Sequence, residues 1–221
     1  MTLNSKTGDI VVTLAPRTLR HYSKDGSFVR DLHIDDVVKI RGVTYCEQND
    51  VYVVTDPGSK QVIVLNASDG DVITLFGGED KLFESPVFVT CDNHNQSKSG
   101  VIAVSDRGHH AVKVGDLQGQ ISMKFGRNGS TGNRKLRSPA GVWLDPSGGI
   151  VVCDWGNRRV VRFSLFGTME VIVSAEDLEG RRPFSLDITP EGVIVVSTWE
   201  GTDSQDMVFI FTGYSNLGAQ A

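Results

Sequence analysis

Side chains able to bind a ligand are concentrated at three turns of this 221-residue chain. Each turn carries the pattern Asp-x-Gly-x-x-x-Val, at residues 56–62, 106–112 and 154–160. The positions between the fixed residues hold Lys60, then Arg107, His109 and His110, then Trp155, Asn157 and Arg158. Guanidinium and ammonium groups bind anions, and aromatic rings stack on cations or on bases. These residue types predict recognition of a ligand rather than a chemical reaction.

The repeated Asp is predicted to be structural. Its carboxylate can accept hydrogen bonds from the N–H groups of the following turn. The Gly two residues later can adopt a positive φ without strain. Function is therefore expected in the variable positions between Asp and Val.

The spacing of this pattern predicts a repeat fold. The Asp residues lie 50 and 48 positions apart, a period typical of a propeller or another repeat array. Short runs rich in Val and Ile, bounded by Gly, Pro, Asn and Asp, predict about four strands in each repeat. We therefore predict an all-β fold, a β-propeller of four-stranded antiparallel blades, about five of them visible, forming one domain over residues 1–221. The units are residues 8–32 (partial), 39–78, 84–129, 137–176 and 181–214 (diverged).

The two end units look incomplete. The first strand of the first unit is either absent or lies in residues 1–7. In the fifth unit Thr198 replaces the repeated Asp. Either strands from both termini complete a closed ring, or the chain is a fragment of a longer propeller, and we favour the fragment.

In a propeller, the turn between the second and third strands lies on the same face as the segment that precedes the first strand. We call this segment the approach segment. It adds basic Arg134 to that face, together with further candidate ligand-binding residues: Arg41, Lys135, Arg137, Arg181, Arg182 and Phe184. By alignment, Arg41, Val87, Ala140 and Phe184 ring the mouth of the channel, where they either grip a ligand or simply plug the opening.

Charge limits the class of ligand. The chain has a net charge of −5, yet residues 84–183 carry 13 Lys and Arg against 10 Asp and Glu. A net negative chain disfavours duplex DNA, whose binding requires many phosphate contacts. A local basic groove suits single-stranded RNA or a protein partner.

The three cysteines, an odd number, predict reduced, mostly buried thiols in a cytoplasmic protein. No two of them stand at zinc-ligand spacing, so no zinc site is expected. Cys46 and Cys91 fall at equivalent ends of first strands, and Cys153 ends a second strand. No signal peptide and no membrane-spanning segment is expected.

The repeat resembles the NHL repeat. The resemblance rests on Pro139-Ala140-Gly141-Val142, Val152-Cys153-Asp154 and Asn157-Arg158-Arg159-Val160, with Phe76-Gly77 and Phe125-Gly126 closing earlier units. It implies a propeller of six blades, so the chain looks one blade short. It also implies similarity to the C-terminal domain of TRIM-NHL ubiquitin ligases, whose catalytic zinc modules lie elsewhere in the chain. Some domains of that family bind RNA through this face and others bind proteins.

We therefore predict a non-catalytic recognition module for a protein partner or single-stranded RNA, without a cofactor or metal. One alternative is a metal-dependent propeller hydrolase or lyase. Its ligands would have to converge from several blades, whereas His109 and His110 share one turn and His94 is placed on the opposite face. The other alternative is a scaffold fragment whose ligand site lies in missing blades.

Overall fold

The computed structural model describes residues 1–35, 37–93, 100–126, 135–201 and 205–214. Contacts divide the chain into two compact units. Unit 1 is Met1–Val104 with Val114–Met123, and unit 2 is Ser105–Lys113 with Lys124–Ala221. Arg134 and His94, both named above, lie outside the described residues.

Five antiparallel sheets form the fold, and in each sheet the strands are neighbours in chain order. The first sheet contains β1 (Thr2–Leu3), β2 (Ile10–Leu14), β3 (Thr18–Tyr22) and β4 (Phe28–His33). The second contains β5 (Val43–Cys46), β6 (Val51–Asp56), β7 (Gln61–Asn66) and β8 (Val72–Gly77). The third contains β9 (Pro86–Cys91), β10 (Ile102–Asp106), β11 (Ala111–Gly115) and β12 (Ile121–Phe125).

The last two sheets lie in unit 2. The fourth contains β13 (Val142–Leu144), β14 (Ile150–Asp154), β15 (Arg159–Phe163) and β16 (Met169–Val173). The fifth contains β17 (Pro183–Ile188), β18 (Ile194–Thr198) and β19 (Val208–Phe211). Short 3-10 turns occupy Glu47–Asn49, Gly78–Asp80 and Trp155–Asn157. The predicted all-β fold, a β-propeller with five visible blades, is confirmed. The first strand of the first blade lies within residues 1–7, where Thr2 pairs with Val11 and Leu3 with Ile10.

The inner strands explain why the apolar runs are continuous rather than alternating. Every residue of β6 is buried, and so are all five of β14. A strand covered on both faces needs apolar or hydrogen-bonded side chains at each position. Outer strands such as β8 instead leave Val72 and Ile73 exposed.

Gly141 allows two blades of unit 2 to come close together. Its N–H donates to the Phe184 carbonyl at 2.8 Å. A Cβ at this position would lie 2.9 Å from Ser185 Cα. Gly42, its counterpart in unit 1, would similarly meet the Val87 carbonyl oxygen at 2.7 Å. The Gly of the Pro-x-Gly-Val motif is thus required for close packing.

Cys46 and Cys91 form a disulfide, so the prediction of reduced thiols is wrong for both. They end β5 and β9, and their Cα atoms are 5.5 Å apart although 45 positions separate them in sequence. Equivalent ends of first strands in successive blades lie side by side, which spacing along the chain does not reveal. Cys153 is a free, buried thiol as predicted, and burial beside Asp154 raises its pKa. The thiol argument for a cytoplasmic location therefore loses its basis, and the compartment stays a prediction.

No helix of the described residues could cross a membrane.

Buried His21 in unit 1 has an incompletely satisfied imidazole. Its Nδ1 lies 3.4 Å from Asp9 Oδ2, and its ring meets Tyr52 edge-on at 5.5 Å. No described residue bonds to its Nε2. Burial lowers the pKa of His21, although the bond to Asp9 acts in the opposite direction. The fold therefore favours the neutral imidazole.

The disulfide predicts how many thiols can be alkylated. Alkylation of the denatured chain without reductant should label one thiol, that of Cys153, and after reduction it should label three. Because the crosslink restricts the unfolded chain, the double substitution Cys46→Ala and Cys91→Ala should lower the free energy of unfolding by roughly 2–4 kcal/mol. Mass spectrometry counts the labels, and calorimetry with Cys153→Ala as control measures the loss. Three labels before reduction would contradict the crosslink.

His21 predicts a loss of stability in mild acid. The pKa of a His in the unfolded chain is about 6.5, and the pKa of His21 in the folded chain is lower. As the pH falls, the unfolded state therefore takes up the proton before the folded state does. Stability should be constant above that pH and fall as the pH drops below it, by at most about 1.4 kcal/mol per pH unit. Urea titrations from neutral to acidic pH should show a shallower fall for His21→Phe than for the control His33→Gln at an exposed site. Equal slopes would show that His21 does not titrate differently on folding.

Candidate binding site

The repeated Asp residues tie each turn to the approach segment of its blade. In unit 1, Asp56 is fully buried and accepts hydrogen bonds from the N–H groups of Val38 (2.8 Å) and Lys39 (3.0 Å). It also accepts from the turn, at Gly58 (2.9 Å) and Ser59 (3.2 Å). Burial opposes ionisation of Asp56, but these donors outweigh it and lower the pKa of the carboxyl group. The predicted structural role is supported, and it extends to the approach segment.

Asp154 makes the same link in unit 2. It accepts from the Arg137 N–H at 2.7 Å, from Asn157 Nδ2 at 2.8 Å and from Arg159 Nε at 2.8 Å. The Gly156 N–H donates to the Arg137 carbonyl at 2.8 Å. The backbone positions of Arg137 and of the turn are therefore fixed relative to each other.

Asp106 binds side chains instead. Its Oδ2 lies 2.6 Å from both His109 Nδ1 and the Nζ of buried Lys113. Burial lowers the pKa of Lys113, although the bond to Asp106 opposes the shift. His109 is thus part of a structural ion-pair cluster. His110 Nδ1 accepts from the Ser138 N–H at 2.9 Å, so both imidazoles serve the local structure.

The predicted positive φ at the Gly of the pattern is wrong. The left-handed conformation occurs four residues after the Asp, at Lys60 (φ 58°), His110 (φ 52°) and Arg158 (φ 56°). The Gly is needed for space: a Cβ at Gly156 would lie 2.5 Å from Arg137 Cγ, and one at Gly58 would lie 2.6 Å from Val38 Cβ.

In the fifth blade, different residues connect the turn to the approach segment. Thr198 stands in place of the Asp, and its hydroxyl bonds to the backbone of Met207. Glu200 instead accepts the hydrogen bond from the Arg182 N–H. Its Oε2 also lies 3.9 Å from Arg182 Nε.

An arginine–aromatic cluster in unit 2 centres on Trp155. The Arg107 Cζ lies 4.5 Å from the centroid of the Trp155 ring, and the Arg182 Cζ lies 4.3 Å from it. Trp155 Nε1 donates to the Trp199 carbonyl at 3.2 Å. Trp199 in turn packs against Phe184, with the ring centroids 5.4 Å apart. Cation–π contacts of this kind hold guanidinium groups in place on an aromatic surface.

A pocket of about 450 Å³ opens beside this cluster. It is lined by Arg137, Trp155, Gly156, Asn157, Arg158, Ala175 and Arg182. Three of these residues are arginines and none is acidic. The volume falls within the range of roughly 300–1,000 Å³ typical of ligand pockets. The arrangement suits a ligand that carries negative charge.

Most of the predicted ligand-binding residues lie in unit 2, and five of them line this pocket: Arg137, Trp155, Asn157, Arg158 and Arg182. Arg107 and Phe184 belong to the surrounding cluster. Lys135 contributes its carbonyl, which accepts from Asn157 and Arg159, while Arg181 Nη1 donates to the Gln205 carbonyl at 2.6 Å.

Arg41 and Lys60 belong to unit 1. Lys60 pairs with Glu84 at 2.9 Å, and Arg41 is exposed. The prediction that Arg41, Val87, Ala140 and Phe184 ring a channel mouth includes residues of both units and stays a prediction.

Sequence reasoning missed Trp199 and Glu200. Trp199 follows Thr198 as Trp155 follows Asp154, so alignment of the fifth unit on Thr198 carried the signal. Glu200 has no counterpart in the pattern. Within the described ranges no group of three His, Cys, Asp or Glu side chains could hold a metal ion.

Removing the Asp154 carboxylate should loosen the site. Asp154→Ala leaves the Arg137 N–H and the Arg159 guanidinium without their acceptor, and we expect a loss of about 2–4 kcal/mol in the free energy of unfolding. Asp154→Asn keeps one acceptor oxygen and should lose less. Urea denaturation followed by circular dichroism, with exposed Glu170→Ala as control, measures both. A loss for Asp154→Ala no larger than that of the control would contradict the structural role.

Known proteins resemble this chain in sequence and in fold. The family model for the NHL repeat matches residues 136–163, which run from the approach segment to the end of β15. The human E3 ubiquitin-protein ligase NHLRC1 is 27% identical over 125 residues. That alignment covers 57% of this chain and only 29% of the ligase.

Two solved structures share the fold over nearly the whole chain. A streptogramin B lyase is 14% identical with a TM-score of 0.68, covering 97% of this chain and 69% of the lyase. A catalytically inactive virginiamycin B lyase from Staphylococcus aureus, solved with quinupristin, is 12% identical with a TM-score of 0.67, covering 93% and 67%. At this identity the likeness concerns the fold alone. The chain is thus a β-propeller of five sheets in which residues 136–163 match the NHL repeat.

Proposed function

We propose that this chain is a non-catalytic recognition module that binds a protein partner through the arginine-lined pocket of unit 2. The observation that carries the proposal is the pocket itself, where Arg137, Arg158 and Arg182 surround Trp155 without a lining carboxylate. Arginine and tryptophan are the residue types that contribute most to binding energy in protein interfaces. The similarity to a ubiquitin-protein ligase, which acts on proteins, supports the same class of ligand.

Single-stranded RNA is the second candidate, favoured by the same basic pocket. Two features argue for protein instead. The Trp155 ring already carries the guanidinium groups of Arg107 and Arg182, so a base stacking at the same place has to compete with them. In addition, the net charge of −5 repels a polyanion at long range.

The two adjacent histidines that a metal-dependent reaction would have to use have structural partners instead. His109 contacts Asp106 and Lys113, and His110 contacts Ser138. These contacts support a module without a catalytic step, and the lyases named above share its fold only.

Charge reversal in the pocket tests the proposal. The variant Arg137→Glu with Arg158→Glu should lose at least tenfold in affinity for partners that the native chain captures, because both groups line the pocket. The matched control Arg17→Glu with Lys24→Glu changes the net charge equally at exposed positions of unit 1. Quantitative affinity capture finds the partners, and titration of each purified partner measures the loss.

A single-stranded RNA pool, titrated at low and at physiological salt, forms the second arm. Tight binding of the pool that the pocket variant alone loses, with every protein affinity unchanged, would replace the protein proposal by RNA recognition. Equal effects of the pocket variant and the control would remove the pocket from the binding site.

A further inference from the structure

We propose that the pocket of unit 2 binds a phosphorylated side chain on a segment of the partner protein. The inference rests on the proposed function and specifies its ligand. Its starting point is a concentration of positive charge around a pocket whose lining holds no carboxylate. Arg137, Arg158 and Arg182 line one pocket of about 450 Å³, and Arg107 shares the Trp155 ring with Arg182.

The guanidinium groups of the three arginines that line the pocket have spare donors. The side chains of Arg137 and Arg158 form no ion pair or hydrogen bond with any residue that the structure describes. Arg182 Nε is buried and has no hydrogen-bond partner among the same residues, since Glu200 Oε2 is 3.9 Å away. A buried donor without an acceptor is unfavourable, and an anion in the pocket would supply one.

The site is also held in shape before any ligand arrives. Asp154 and Gly156 fix the Arg137 backbone through hydrogen bonds at 2.7 and 2.8 Å. The Arg158 N–H bonds to the Trp155 carbonyl at 3.3 Å, and Trp155 supports the Arg182 guanidinium. Binding therefore requires little ordering of the backbone, which favours affinity.

Three guanidinium groups fit a phosphate monoester better than a carboxylate. A single guanidinium fork satisfies a carboxylate in bidentate fashion. A phosphate monoester carries close to two negative charges at neutral pH and three terminal oxygens that accept strong hydrogen bonds. Clusters of arginines are the recurrent solution for phosphorylated motifs. A phosphodiester of RNA has one charge and two such oxygens, and it fits the cluster less well.

The test uses fluorescein-labelled degenerate peptide pools with a central phosphoserine, serine or glutamate, titrated against the purified chain by fluorescence anisotropy. We expect the phosphoserine pool to bind at least tenfold more tightly than the serine pool, with glutamate between them. Arg137→Glu with Arg158→Glu should abolish the preference. Arg158→Lys, which keeps the charge but loses the planar fork, should reduce it several-fold. Arg17→Glu with Lys24→Glu is the control, and circular dichroism verifies that each variant is folded.

Competition distinguishes the sources of the phosphate group. Inorganic phosphate and O-phosphoserine should each displace the phosphoserine pool. Oligouridine should displace it only as weakly as expected from nonspecific attraction between its charge and the arginines. Equal binding of the phosphoserine and serine pools, lost in the pocket variant, would overturn the phosphate proposal while leaving protein recognition intact. Absence of binding to all three pools would overturn it as well. Oligouridine binding more tightly than the phosphoserine pool would overturn both in favour of RNA.

Discussion

A buried carboxylate at the end of a second strand is the interaction on which the candidate binding site depends. Asp56 and Asp154 have no exposed surface, yet each holds the backbone of the turn against the approach segment of its blade. Burying a charge is unfavourable unless donors surround it, and here backbone N–H groups and a neighbouring guanidinium supply them. Because the carboxylate fixes the backbone, the side chains between Asp and Val can differ from blade to blade without changing the shape of the turn.

Because the Asp fixes the backbone and the side chains that follow it can vary, the Trp155 turn can line a pocket. In blade four, the Arg159 guanidinium pairs with the carboxylate, and Trp155 and Arg158 line the pocket. In blade three, His109 stands at the position of Asn157 and His110 at that of Arg158, and the local structure uses both imidazoles. One scaffold therefore yields a structural turn in one blade and a turn that lines a pocket in the next. The pocket also concentrates positive charge on a chain that is negative overall.

The sequence predicted the fold because the fold depends on repetition. Alignment on Asp154 was enough to bring Arg137, Trp155 and Arg158 together, since the turn and the approach segment of one blade are tied by one carboxylate. It could not reveal Glu200, which performs the same task from a different position. Nor could it reveal the Cys46–Cys91 crosslink, which depends on the distance between strands of successive blades rather than on their separation in sequence. The left-handed residue was missed because Lys60, His110 and Arg158 share no side-chain chemistry.

The left-handed backbone at Arg158 restricts how such a surface can diversify. A β-branched residue is strongly disfavoured at positive φ, whereas Gly, Asn and unbranched polar residues are tolerated. The residue types compatible with this position therefore form a small set that excludes Val, Ile and Thr. A replacement by Gly would relieve the backbone strain but remove the guanidinium group. The residue that fits this backbone best is therefore among the least useful for recognition. New specificities in this repeat should accordingly arise first at the neighbouring positions of Trp155 and Asn157, where the backbone imposes no such filter.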